Sequence, residues 1–189
     1  MIYYVRHGAT DWNDHVNEKG EKAPRCQGLV DNELNDRGIA QAHAIAETLR
    51  DVKFAKVISS PLKRAIQTCE IICDGKYDIE IDKRIIERDF GDFEGKMRSE
   101  FDFRGFWVEA LDGTFDHAES IRDMKKRVYS MLDELKSVDG DVLIVGHGGI
   151  GLILLSYFKG LPDDGCYTSY ELPHGKAWIG EFENVRKMK

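Results

Sequence analysis

Two stretches far apart in the chain end alike. "YYVRHG" at residues 3–8 and "LIVGHGG" at 143–149 each pass from apolar residues into a histidine followed by glycine. A neutral imidazole can attack an electrophile through one ring nitrogen, and an N–H of the ring can donate to a developing anion. Arg6 sets a planar guanidinium beside His7, a shape that matches phosphate oxygens bidentately. Arg64, in "SSPLKRAIQT", falls in the first turn of an expected helix or just after it, where a cation faces the positive end of the helix dipole. That placement costs roughly 0.3–1 kcal/mol unless a fixed anion reverses the sign. Each residue alone has an ordinary explanation: a strand-end histidine can bond to a carbonyl, and Arg64 can reach solvent or an acidic neighbour. Taken together, Arg6, His7, Arg64 and His147 could surround a single phosphoryl group.

The elements that would bring them together can be read from apolar spacing. "MIYYV" reads as a strand, followed by a polar stretch from His7 to about Asn35, a length that in a compact domain is usually functional. "NDRGIAQAHAIAETLR" reads as a helix capped by Asn35 or Asp36, with Ile39, Ala42, Ala46 and Leu49 on one face. "AKVIS" is the next strand. A helix then starts with Ser60 as cap and Pro61 at its first position, burying Leu62, Ala65, Ile66, Cys69 and Ile72 or Cys73. "DIEID" is a short strand. Residues 84–116 mix aromatic and charged residues without a period, as expected of short helices over the sheet edge. A long helix follows from Glu119 with Ile121, Met124, Val128, Met131 or Leu132, and Leu135 inward. "DVLIVGHGGIGLILLSYF" is a buried strand, a glycine turn and a second apolar helix, and two last strands are expected at "CYTSYEL" and "KAWIGEF". This alternation predicts an α/β fold, a three-layer α/β/α sandwich around a mostly parallel central sheet. Ligands of such sheets bind at the carboxyl ends of the strands, where His7 and His147 fall. Gly8, Gly148 and Gly149 would let a ligand approach the backbone there, and His147 directly precedes a helix whose N-terminus suits phosphate.

Bulk composition narrows the classes of function. A chain of 189 residues, 42% hydrophobic, can bury one substantial core, so a single domain over 1–189 is expected. The net charge of -7 argues against nucleic acid as partner, because phosphate neutralisation needs a basic field. No apolar run approaches the roughly 20 residues that cross a bilayer, which makes the cytoplasm the default location. Cys26, Cys69, Cys73 and Cys166 show no metal-ligand spacing and read as free thiols. His15, His43, His117 and His174 are assigned to surface, capping or partial burial.

The sequence resembles the histidine phosphatase superfamily, also called the phosphoglycerate-mutase-like family. Four separated motifs carry the resemblance in family order: "RHGATDWN" at 6–13, "QGLVDNELNDRGIAQA" at 27–42, "SSPLKRAIQT" at 59–68 with "ERDFGDFEG" at 87–95, and "VGHGG" at 145–149. The resemblance implies that His7 is the nucleophile that forms a phosphohistidine, with Arg6, Arg64 and His147 holding the phosphoryl oxygens. Glu87 would be the proton donor and Glu94 its nearest rival. Asn13, Gln27, Gly28 and Gly148 match substrate-loop and phosphate-binding positions. Ala9 departs from the acidic or amide residue frequent in the family, and Phe93 from tryptophan; neither touches the expected chemistry.

The implied activity is metal-independent hydrolysis of a phosphomonoester of the histidine acid phosphatase type, without a cofactor. Two guanidiniums and an imidazole can stabilise the transferring group's charge by position alone. Glu87 must reach the leaving alkoxide with its proton on, against the competing possibility of a salt bridge to Arg84 or Arg88. The expected partner is a phosphorylated small-molecule substrate: a ribazole phosphate, a sugar phosphate or another metabolite. Phosphoglycerate mutase and a non-catalytic phosphoryl-binding module are the alternatives. Residues 96–115 lack the tandem arginines of the mutases, with Lys96, Arg98 and Arg104 scattered. Phe101, Phe103, Phe106 and Trp107 fit either an aromatic cap over a less highly charged substrate or plain packing, and residues about 84–116 are expected to form a cap-like subregion.

Overall fold

The computed structural model describes residues 1–170, Leu172 and 177–182. Its centre is a five-stranded sheet in the order β3-β2-β4-β1-β5, built from β1 (Ile2–Arg6), β2 (Phe54–Ser59), β3 (Ile79–Ile81), β4 (Asp141–Gly146) and β5 (Ala177–Gly180). The first four strands run parallel and β5 pairs antiparallel with β1. Side-chain alternation divides the two central strands between layers. Ile2 and Tyr4 of β1, with Val142 and Ile144 of β4, join one core with α3 (Ile121–Leu135) and α4 (Gly148–Lys159). Tyr3, Val5, Leu143 and Val145 join the opposite core with α1 (Asp36–Leu49) and α2 (Lys63–Cys73). Both faces are covered, which is why "VLIV" carries no polar face.

Local details depart from the periodic reading where the ends of helices serve the loops. Asn35 caps α1 by accepting from the Gly38 amide at 2.9 Å, yet Ile39 is 40% exposed and the buried stripe is Gly38, Ala42, Ile45 and Leu49. The helix is rotated so that Gly38 faces the loop after β1: a Cβ there would lie 2.1 Å from the Ala9 carbonyl oxygen. α2 begins at Lys63, later than the expected Ser60 cap, because Asp31 accepts from the Lys63 amide at 2.7 Å while the Ser60 hydroxyl lies 2.6 Å from the His147 ring. α3 buries every apolar position expected of it.

The strand expected at "CYTSYEL" is a 3₁₀ turn at Tyr167–Ser169. Tyr167 is fully buried in the core and donates its hydroxyl to Glu109, and among the described residues the segment's strand-like pairing is one bridge between Cys166 and Val108. β5 realises the middle of "KAWIGEF"; Lys176 and His174 lie outside the described residues. Residues 83–111 form five separate 3₁₀ turns, at Lys83–Ile85, Gly91–Phe93, Arg98–Glu100, Gly105–Trp107 and Glu109–Leu111. They are stitched by an aromatic cluster: Phe93 stacks on Phe101 at 4.5 Å, Phe106 on Phe90 at 4.9 Å, and Phe115 meets Phe106 edge-on at 5.2 Å. Among the described residues no helix is long and apolar enough to cross a membrane. All four cysteines are buried free thiols.

Candidate active site

The carboxyl ends of β1 and β4 lie side by side, and the parallel ladder pairs Arg6 with Gly146. The His7 amide continues that ladder by donating to the Gly146 carbonyl at 2.9 Å. The two rings that follow, His7 and His147, have centroids 5.2 Å apart. His7 Nδ1 lies 2.7 Å from the Gly8 carbonyl oxygen. A carbonyl can only accept, so Nδ1 carries the proton of the neutral ring and the lone pair sits on Nε2. The loop that holds this ring is pinned from three sides. The Gly8 amide donates to Thr68 Oγ1 at 3.1 Å, the Ala9 amide to Gln41 Oε1 at 2.9 Å, and Ala9 accepts from the Asn35 amide at 3.0 Å. Gly8 itself has no room for a side chain: a Cβ would lie 2.3 Å from the Gly38 carbonyl oxygen.

His147 is completely buried, and desolvation together with the positive charge of Arg64, His7 and Arg6 holds its pKa well below the ordinary imidazole value. Its ring is therefore neutral at pH 7. Ser60 Oγ, which accepts from the Leu62 amide at 3.4 Å, can turn its proton toward His147 Nε2 at 2.6 Å. When Ser60 donates in this way Nδ1 carries the ring proton, and among the described residues Nδ1 has no partner. Tyr4 donates to the His147 carbonyl at 2.6 Å from below.

Arg64 is fully buried at the start of α2. It holds the loop 27–30 by donating to the Val30 carbonyl at 2.6 Å and the Gly28 carbonyl at 2.9 Å, while Nε has no partner among the described residues. Burial lowers the pKa of both Arg64 and Arg6 to about 10; for Arg6 the repulsion of Arg98 adds to it. Neither guanidinium is paired with a carboxylate among the described residues, and Arg6 Nε is also unpartnered there. A buried cation, a half-buried one and a ring nitrogen of His147 thus each leave a polar atom unpartnered among the described residues.

Glu87 resolves the alternatives raised for it in favour of a backbone-held carboxyl. Its Oε2 accepts from the Gly149 amide at 2.9 Å and its Oε1 from the Arg88 amide at 2.8 Å. Arg84 is committed to Asp82 and Glu134, and the Arg88 guanidinium donates to the carbonyls of Glu119 and Phe106 while lying 3.7 Å over the Phe106 ring. The segment is gripped from behind by Arg127, which donates to the carbonyls of Arg84 at 2.6 Å, Ile86 at 2.7 Å and Glu87 at 3.3 Å and pairs with Glu119 at 2.6 Å. Glu94 serves the loop instead. It accepts from the amides of Gly28 at 2.7 Å and Leu29 at 3.1 Å and so anchors the turn that Arg64 also holds. Desolvation raises its pKa.

A cavity of about 220 Å³ opens over this floor, lined by Arg6, His7, Asn13, Gln27, Glu87 and Gly148 among others. Arg64 and His147 lie buried beneath the lining. Asn13 Oδ1 accepts from the Thr10 amide at 3.1 Å, the one Thr10 hydroxyl proton lies between Asn13 Oδ1 at 3.2 Å and Gln27 Oε1 at 3.0 Å, and Gln27 Nε2 is without a partner among the described residues. Gly28 contributes its carbonyl to Arg64 and does not line the cavity. Of the aromatic set, Phe103 and Trp107 line the cavity, whereas Phe101 and Phe106 pack against other rings. Arg25 and Arg98 also line it. Sequence reasoning did not single out either as a ligand contact, since no local pattern separates them from the surrounding charged residues. The remaining described histidines lie outside the lining: His15 bonds to the Ala23 carbonyl, His43 is exposed, and His117 pairs with Asp92.

Known proteins of this shape point the same way. A protein of Erwinia tasmaniensis named probable phosphoglycerate mutase is 35% identical over 171 residues, 86% of this chain and 76% of the relative. An Enterobacter protein of the same name is 36% identical over an equal span. Among solved structures, a mycobacterial glucosyl-3-phosphoglycerate phosphatase in complex with VO3 superposes with a TM-score of 0.77 at 27% identity, covering 93% of this chain and 90% of that one. The sequence profile of the histidine phosphatase superfamily, branch 1, matches residues 2–178, from the first strand to the last, and the chain belongs to that family.

Proposed function

We propose that the protein is a phosphomonoester hydrolase working through a phosphohistidine on His7. The observation that carries this reading is the pair of imidazoles 5.2 Å apart at adjacent strand ends, with Arg6 and Arg64 beside them unpaired by any carboxylate among the described residues. In the first step the His7 Nε2 lone pair forms the N–P bond while the P–O bond to the leaving group breaks, and Glu87 passes its proton to the departing oxygen. In the second step Glu87, now a carboxylate, takes a proton from water as that water attacks phosphorus; the N–P bond breaks and inorganic phosphate leaves. Arg6, the remaining N–H of Arg64 and His147 Nδ1–H are the donors for the equatorial oxygens. Because these groups are already desolvated and held by backbone bonds, they need little reorganisation as charge develops. Asn13, Gln27 and Gly148 complete the wall around the phosphoryl end, and residues about 84–116 act as a cap that carries Glu87 and the aromatic side of the cavity.

The test is direct. Protein mixed with a ³²P-labelled phosphomonoester and quenched in alkali should retain label that is lost on brief acid treatment, and His7→Asn should retain none. Turnover of p-nitrophenyl phosphate should persist in EDTA. Retention of label on the His7→Asn protein would defeat the assignment. The named relatives favour a second reading, phosphoryl transfer between the hydroxyls of phosphoglycerate. Isomerisation faster than phosphate release from the same substrate would replace hydrolysis by transfer.

A further inference from the structure

Arg64 and Glu94 lie on opposite sides of one short loop, and among the described residues neither forms an ion pair. Arg64 is fully buried and Glu94 half-buried, so both charges need partners other than water, and the loop supplies them through its peptide groups. The Gly28 amide donates to Glu94 Oε1 at 2.7 Å and the Leu29 amide to Oε2 at 3.1 Å. The carbonyls of the same two peptide bonds, those of Gln27 and Gly28, accept from Arg64 Nη2 at 3.4 Å and 2.9 Å. A trans peptide points its C=O and its N–H in opposite directions, so one unit can reach both groups at once. The peptide joining Gln27 to Gly28 and the one joining Gly28 to Leu29 therefore each span a carboxylate and a guanidinium, oxygen toward the cation and hydrogen toward the anion. Charge at both ends strengthens such bonds beyond neutral ones. The Val30 carbonyl adds a third acceptor, 2.6 Å from Arg64 Nη1. With Nη1 and Nη2 held, Nε is the edge of the guanidinium without a partner among the described residues.

We propose that Glu94 is a positioning residue for phosphoryl transfer: through these two peptides it fixes the plane of the Arg64 guanidinium and aims its unpartnered edge at the phosphoryl group. This deepens the hydrolase reading and rests on it for what Arg64 meets. Glu94 is not part of the cavity lining, so its influence on a bound group passes through the loop. Other ties of the loop lie further along the chain. Asp31 accepts from the Lys63 amide at 2.7 Å and the Leu34 amide donates to Gln67 Oε1 at 2.8 Å, and neither bond restrains the two bridging peptides. Burial opposes the charge on Arg64, while Glu87 and Glu94 support it. A peptide released from Glu94 can turn, and the guanidinium plane turns with the carbonyls that hold it. Orientation matters here because a misplacement of about 1 Å can slow a reaction about 10²-fold.

The experiment is a double-mutant cycle read by calorimetry with orthovanadate and with inorganic phosphate, on the wild type, Glu94→Gln, Arg64→Lys and the double variant, each with its thermal midpoint. Glutamine has one acceptor oxygen and meets the second amide with its own N–H, so Glu94→Gln releases one of the two peptides. Vanadate, whose equatorial oxygens mimic those of the transferring group, should bind about tenfold more weakly, and phosphate only about threefold. With Arg64→Lys no planar fork remains to be oriented, and the same substitution should weaken vanadate by less than about twofold. Turnover of p-nitrophenyl and alkyl phosphates should fall by the same factor in Glu94→Gln, because no proton transfer is touched. Unchanged vanadate affinity, an equal loss in both Arg64 backgrounds, or a loss of turnover that depends on the leaving group would overturn the proposal. So would a lower thermal midpoint at undiminished affinity, which marks a structural role alone. Should Glu94→Gln not fold, Glu94→Asp keeps both oxygens on a side chain one methylene shorter and is read in the same cycle, with a smaller loss expected. Coupling between Glu94 and Arg64 in a protein that releases no phosphate from any ester would instead sink the hydrolase reading and leave the positioning role standing.

Discussion

The floor and the wall of this cavity are built on opposite plans. The floor, His7, Arg6 and His147, stands on the ends of β1 and β4, where a parallel ladder and two apolar layers fix the backbone. The wall, from Glu87 to Trp107, has almost no regular structure. Its chain and the segments flanking it are held by arginines reaching for carbonyls: Arg127 takes three of them, Arg88 two, and Arg25 one. The lesson is that a group needing only a strand end can be positioned by repetitive local bonds. A carboxyl carried to the cavity wall by irregular chain needs long-range side-chain clamps.

That contrast predicts how each part fails. Replacing His7 by alanine in the floor should abolish turnover of every phosphomonoester, by roughly 10⁴-fold or more, whatever the leaving group. In the wall, Glu87→Gln should slow alkyl phosphates by about 10²–10⁴-fold and p-nitrophenyl phosphate far less, since a good leaving group needs no proton. A uniform loss across leaving groups would remove Glu87 from the acid role.

Arg127→Lys tests the clamp itself, because a lysine cannot pair bidentately with Glu119 and bond three carbonyls at once. We expect a loss of about tenfold with alkyl phosphates, a smaller one with p-nitrophenyl phosphate, and a displaced pH profile. An equal fall for both substrates at unchanged pH profile would make Arg127 a stability residue only.

The smallest effect belongs to the floor and is read in stability. The folded state depresses the His147 pKa, so at acid pH the unfolded chain binds the proton more readily. This contribution is intact above the ordinary imidazole value of about 6.5 and is lost as pH falls below it. The thermal midpoint should drop between pH 7 and pH 5, and His147→Asn should flatten that drop. A slope unchanged in the variant would place the pH dependence elsewhere.

Arg6, His7, Arg64 and His147 could be named from "RHG", "SSPLKR" and "GHGG", because strand ends and helix starts are written in local apolar spacing and in glycine. The inward face of α3 and the parallel sheet followed from the same signals. What local signals could not carry was the wall. Five 3₁₀ turns have no period, and the run at "CYTSYEL" has strand-like composition but turns at Tyr167–Ser169 and buries Tyr167 in the core. The rotation of α1 was hidden for a related reason, since it depends on Gly38 meeting Ala9 across the fold.

By itself the amino-acid sequence determined the order of the main strands and helices as far as α4, the edge of the sheet that carries the two imidazoles, and the identity of the cationic and imidazole groups gathered there. These follow from covalent neighbours and periodic burial, which act over a few residues. Only the tertiary structure decided which carboxyl faces the cavity, which anchors a loop, and which of the scattered arginines turn inward. Those outcomes depend on partners tens of residues away competing for the same carbonyls and carboxylates, and that competition is settled when the layers pack.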